Sequence, residues 1–93
     1  VSAKYGNSAE AENSLITDGC VIDGKTENSV LFRGAKIEEG AEVYGCVLMH
    51  NTVVGKGAVL RHVITDKNVV ISPGETLCGS EKYPLYIPKG TRV

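Results

Sequence analysis

"ENSVLFRGAKIEEGAEVYGCVL", residues 27–48, decides the fold. Its leading aliphatics, Leu31, Ile37, Val43 and Leu48, are separated by steps of six, six and five residues. An amphipathic helix needs apolar positions every three or four residues, and these steps do not supply them. The same cycle runs along the chain. Ala11, Thr26, Val43 and Leu60 each open a five-residue step, ending at Ile16, Leu31, Leu48 and Thr65. Steps of six then lead to Ile22, Ile37, Val54 and Ile71, and from the last three a further six reaches Val43, Leu60 and Leu77. Only the first coil is shortened, between Ile22 and Thr26.

The residues between the aliphatics explain the steps. In the six-residue sides the fourth residues are Gly19, Gly34, Gly40, Asn51, Gly57, Asn68 and Gly74. Gly and Asn are the residues that best tolerate a positive φ, which a tight corner requires. The fifth residues, Cys20, Ala35, Ala41, Thr52, Ala58 and Val69, are small, with Glu75 the exception. The shorter sides place Asn13, Asn28, Gly45 and His62 third, again types enriched in the left-handed region. The pattern predicts a triangular solenoid: short strands with inward aliphatics, left-handed corners, small inward residues, and coils stacked so that the strands pair in parallel. About four coils fit between residues 11 and 77. Residues 1–10 show no clear periodicity and read as a linker. The remainder from residue 78, "CGSEKYPLYIPKGTRV", loses the Gly/Asn rhythm and contains Pro84 and Pro88, so it reads as the start of another coil that passes into an irregular cap.

Composition excludes several functions. Ten basic and eleven acidic residues give a net charge of −1 with no basic stripe, which argues against nucleic acid. No apolar run reaches the length of a membrane helix, and no signal segment opens the chain. Cys20, Cys46 and Cys78 are odd in number and widely spaced, without CxxC; they read as free thiols serving as small interior residues. No phosphate-loop motif is present, and "VGKGA" (54–58) has coil spacing.

Hexapeptide-repeat β-helices, which this chain resembles, are left-handed, unlike most parallel crossovers. The expected fold is therefore an all-β, left-handed parallel β-helix of four to five coils. Many such proteins are trimeric acyltransferases with a histidine base, an alternative that would use His50 or His62. Here His62 fills a corner slot and His50 an outward one, so neither shows more than exposure. The zinc carbonic anhydrases of this fold need three histidines, and only two are present. Glu38 and Glu39 read as a solvated face. Phe32 and Met49 share the second slot of aligned sides and read as exposed apolar neighbours, a possible interface.

The stretch from "NSLITDGC" to "DKNVVISPG", within residues 11–75, resembles the C-terminal β-helix of bacterial glucose-1-phosphate adenylyltransferase, with "ENSVLFRG" and "DKNVVISPG" the most specific segments. The tail resembles the GlgD-type regulatory subunit. The resemblance implies cytoplasmic glycogen synthesis: ADP-glucose and pyrophosphate made from ATP and glucose 1-phosphate, with magnesium. It assigns that chemistry to an N-terminal nucleotidyltransferase domain and no cofactor or metal to these residues. The start at Val1 fits the expectation of an excised piece. It further implies a likeness to domains that serve oligomer assembly, a catalytic partner subunit, and a phosphorylated sugar effector. "YIPKG" aligns with the family's basic effector position, making Lys89 the first candidate, with Lys36 and Arg92 behind it. A ligand-free scaffold is the third possibility.

Overall fold

A computed structural model describes residues 2–93. Fifteen short strands form three five-stranded parallel sheets, and successive strands fall on successive sheets. Sheet A contains β1 (Lys4–Tyr5), β4 (Val21–Ile22), β7 (Lys36–Ile37), β10 (Val53–Val54) and β13 (Val70–Ile71). Sheet B contains β2 (Glu10–Glu12), β5 (Lys25–Glu27), β8 (Glu42–Tyr44), β11 (Val59–Arg61) and β14 (Thr76–Cys78). Sheet C contains β3 (Leu15–Ile16), β6 (Val30–Leu31), β9 (Val47–Leu48), β12 (Val63–Thr65) and β15 (Leu85–Ile87). This is the three-sided parallel β-helix the steps predict.

The registers match the repeat residue for residue. Ala11, Thr26, Val43, Leu60 and Leu77 stack in sheet B. Ile22, Ile37, Val54 and Ile71 stack in sheet A, and Ile16, Leu31, Leu48 and Thr65 in sheet C. Leu31, Ile37, Val43, Leu48, Val54, Leu60 and Ile71 are fully buried. Full burial of one such side chain is worth roughly 1.5–3 kcal/mol, so a slip of one residue would turn the whole inner column to water. Every corner residue named above has positive φ, from Asn13 (48°) to Gly34 (77°). Cys20, Ala35, Ala41, Thr52, Ala58 and Val69 are buried behind the corners. Two inner threonines satisfy one another: Thr52 Oγ1 lies 3.0 Å from Thr65 Oγ1, and its hydroxyl also reaches the Asp66 carbonyl.

Regular structure extends past both expected ends. Lys4 and Tyr5 pair with Val21 and Ile22, so part of the expected linker forms the first rung of sheet A. The tail continues the coil after a break. From Leu77 to Ile87 the chain takes ten residues where five serve the other coils, because residues 79–84 bulge out at the corner after β14. Gly79 N–H donates to the Arg61 carbonyl and Leu85 N–H to that of His62, pinning the base of the bulge. "IPKGTRV" then resumes the six-residue step, with Ile87 inward, Gly90 at φ 74° and Thr91 in the small slot. Arg92 bridges Val70 in parallel, and Val93 packs against the core. Cys20 and Cys46 are buried as expected, but Cys78 is exposed, because it lies one residue beyond the inward position of β14.

Candidate functional site

The third residues of the sides running from sheet C to sheet A form one edge of the prism: Asp18, Arg33, His50, Lys67 and Lys89. Their alignment is fixed by the backbone. The carbonyls of Asp18, Arg33, His50 and Lys67 accept from Gly34, Asn51, Asn68 and Gly90 N–H, each one coil further on. The edge is therefore acidic at its first rung and cationic at its last two.

Lys89 and Arg92 lie on the same terminal step, Lys89 on the edge and Arg92 just inside sheet A, and both are exposed. Lys36 does not join them. It shares Arg92's outward row through Val53 and Val70, three rungs or roughly 14 Å away at ordinary strand spacing. It also lies 3.8 Å from Glu38 in an exposed pair. Lys89 and Arg92 therefore share one step of the coil, and Lys36 stands apart from both.

Beside Lys89, Asp66 accepts from Lys67 N–H at 2.7 Å and from the Tyr86 hydroxyl at 2.9 Å. The Lys67 N–H and then the Tyr86 hydroxyl hold its carboxyl below the usual carboxylate range, with smaller help from the charges of Lys67 and Lys89. The same bond, with Asp66's charge adding less, pushes the Tyr86 phenol up. Asp66, one rung before Lys89, is thus an ionised carboxylate tied to the last rung through Tyr86.

A groove of about 430 Å³ opens at the other end of the edge, lined by Thr17, Asp18, Phe32, Arg33 and His50. His50 is less solvated than its slot suggests. Its ring lies 5.4 Å from that of Phe32, and its Nδ1 is buried without a hydrogen-bond partner among the described residues. His62 has φ 53° and fills a corner, as its position implied. Among the described residues neither histidine makes a hydrogen bond or ion pair to a carboxylate that would orient it as a base. Burial pushes the Cys46 thiol up, which disfavours the reactive thiolate.

Phe32 and Met49 do occupy successive rungs, but both are half-buried rather than exposed. Sequence reasoning missed the row beside them. Leu15, Val30, Val47, Ile64 and Tyr86 stand in register on the outer face of sheet C. The available signal was the residue immediately before each inward residue of that sheet.

No helix of the described residues is long and apolar enough to cross a membrane. The family described as "GlmU-like, C-terminal hexapeptide" matches residues 1–82. The chain is 46% identical over 76 residues to a glucose-1-phosphate adenylyltransferase of Corynebacterium jeikeium, a match covering 81% of the chain and 19% of the relative. It is 43% identical over 76 residues to that of Corynebacterium diphtheriae (81% and 18%) and 39% over 69 residues to that of Bacillus cytotoxicus (74% and 18%). The chain thus spans about a fifth of the length of the curated relatives it matches.

Proposed function

From the premise that the chain belongs to the GlmU-like C-terminal hexapeptide family, we propose that it is the non-catalytic β-helix of a glucose-1-phosphate adenylyltransferase subunit of the GlgD-type regulatory class. The 46% identity across 81% of the chain supports the adenylyltransferase part of this reading, and the resemblance of the tail, residues 78–93, supports the GlgD-type part. In this reading the parent works in cytoplasmic glycogen synthesis, and an N-terminal nucleotidyltransferase domain, with ATP and magnesium, forms ADP-glucose and pyrophosphate. The β-helix supplies contacts for that domain and for a catalytic partner subunit.

The same reading gives the terminal rung a role in effector response. Lys89 and Arg92 present two cations on one step, the arrangement a sugar phosphate would use. Lys36 is demoted by its distance and by Glu38.

The test is an assay of ADP-glucose formation by the full-length parent, alone and mixed with a catalytic subunit, with and without sugar phosphates. The expected result is a mixture more active or more effector-responsive than the catalytic subunit alone. Lys89→Ala and Arg92→Ala should blunt the response, whereas Lys36→Ala should leave most of it. A parent that neither binds the catalytic subunit nor changes its rate overturns the regulatory reading.

A further inference from the structure

The groove on the edge between sheets C and A draws its walls from three successive rungs. Thr17 and Asp18 come from the first, Phe32 and Arg33 from the second, and His50 from the third. We propose that it binds a small oxyanion, a phosphate or carboxylate group, carried on a flat apolar ring. Arg33 and His50 take the anion, and Phe32 takes the ring. The groove is separate from the step that carries Lys89 and Arg92: Arg33 stands three rungs from Lys89 along the edge, roughly 14 Å at ordinary strand spacing.

The first supporting observation is a pair of uncommitted donors. Arg33 is exposed, and its guanidinium makes no ion pair among the described residues, even though Asp18 lies one rung away. The Arg33 carbonyl accepts from Asn51 N–H, so the side chain leaves a fixed point of the coil. A free guanidinium presents planar, directed N–H groups that match a carboxylate or a phosphate. In His50 the Nδ1 atom is buried without a partner, an uncommon condition for a polar atom in a folded protein. A half-turn of the imidazole exchanges Nδ1 with Cδ2, and an oxyanion in the groove then supplies the acceptor that the protein lacks.

The second is shape. The rings of Phe32 and His50 have centroids 5.4 Å apart and planes tilted by 51°, an open wedge rather than a closed stack. A flat ring set against Phe32 places its anionic group at Arg33, the next residue on the same wall. The volume of about 430 Å³ is at the small end for ligand pockets, which run from about 300 to 1,000 Å³. It suits one substituted ring.

The third is charge. Thr17 Oγ1 donates to the Leu31 carbonyl at 3.0 Å, so its proton is committed and the anion depends on Arg33 and His50. Lys67, one rung beyond His50, adds attraction, and Asp18 opposes it from the first rung. A cation would meet a single lining carboxylate with Arg33 beside it. With few donors in an open groove, binding should be weak, in the millimolar range.

NMR titration of the 93-residue chain with phenyl phosphate, benzoate and inorganic phosphate tests this. All three should shift the Arg33 guanidinium and His50 ring signals, and the two ring-bearing probes should bind more tightly than inorganic phosphate. Their relative affinity tells a phosphate site from a carboxylate site. Arg33→Gln should weaken each about tenfold or more, and Asp18→Asn should tighten each about two- to fivefold by removing the opposing charge. Phe32→Leu should erase the advantage of the ring-bearing probes and leave inorganic phosphate unchanged. Lys89→Ala should alter none of these affinities, so failure here is distinguishable from failure of the effector reading at the terminal rung. Thermal unfolding of each variant confirms that the fold is kept. No saturable shift at Arg33, binding undiminished in Arg33→Gln, or binding weakened by Asp18→Asn overturns the proposal. Equal affinity for inorganic and phenyl phosphate overturns the place of the ring against Phe32.

Discussion

Sheets B and C have the same inside and opposite outsides. Inward, Thr26, Val43 and Leu60 stack in one, and Leu31, Leu48 and Thr65 in the other, all fully buried. Outward, sheet B carries charge and a Tyr44–Glu42 hydrogen bond, with Arg61 seated 4.4 Å over the Tyr44 ring. Sheet C carries valine, isoleucine and leucine. The contrast separates two tasks. Inner rows set register and stability through burial, so they have to be alike; outer rows contribute little to either and can specialise in recognition.

The largest effect should ignore the contrast. Leu31→Ala on sheet C and Leu60→Ala on sheet B each empty a fully buried site. Each should cost about 2–5 kcal/mol in urea unfolding. A much smaller loss on one sheet would break the equivalence of the two inner rows.

Next comes the corner joining the two sheets, where His62 holds φ 53°. If its job is backbone geometry, His62→Gly should be no less stable than wild type. His62→Ala should lie about 1 kcal/mol below the glycine variant, the order of a left-handed alanine's strain. Equal losses in both variants, read by thermal unfolding, would point to the imidazole itself.

The outer rows should barely register in stability. Val47→Glu and Glu12→Ala should each shift unfolding by about 1 kcal/mol or less, because both side chains lie on the outer faces and neither makes a side-chain hydrogen bond or ion pair among the described residues. A large stability loss from Val47→Glu would mean that sheet C's outer face belongs to the core of the single chain.

The smallest effect concerns acid. Asp66's folded carboxyl is held low by Lys67 N–H and the Tyr86 hydroxyl. Its contribution is present above the unfolded value of about 3.9 and is lost as pH falls through the lower folded value. Asp66→Asn should therefore lower the local stability read by amide exchange of Leu85–Ile87 slightly near neutrality, flatten its acid dependence, and converge with wild type below the folded value.

The parts legible in sequence were those with one-to-one physical demands. Positive φ admits few residue types, so Gly19, Asn28, Gly45 and Asn68 announce their corners. A narrow interior admits only small residues behind them, such as Ala35 and Ala58. The step "IPKGTRV" obeys both rules but was hidden because residues 79–84 break the phase just before it; Tyr83, 82% exposed, lies in that break. Lys4–Tyr5 escaped because a terminal rung has one neighbour and few residues to show a period. The sheet C face was obscured for a different reason. Val30 and Val47 sit beside buried Leu31 and Leu48, and "VL" reads as core in both positions until strand alternation turns one of them outward. Lys89, Arg92 and Lys36 were individually visible, but only the coil register shows that two share a step and the third stands apart.

The most direct test of the division between inner and outer rows is methyl NMR of the chain with a soluble paramagnetic relaxation agent. The account predicts that the methyl groups of Leu15, Val30, Val47 and Ile64 broaden as the agent is added, while those of Leu31, Leu48 and Leu60 stay sharp. Broadening at Leu31 or Leu48, or none at Val30 and Val47, would contradict it.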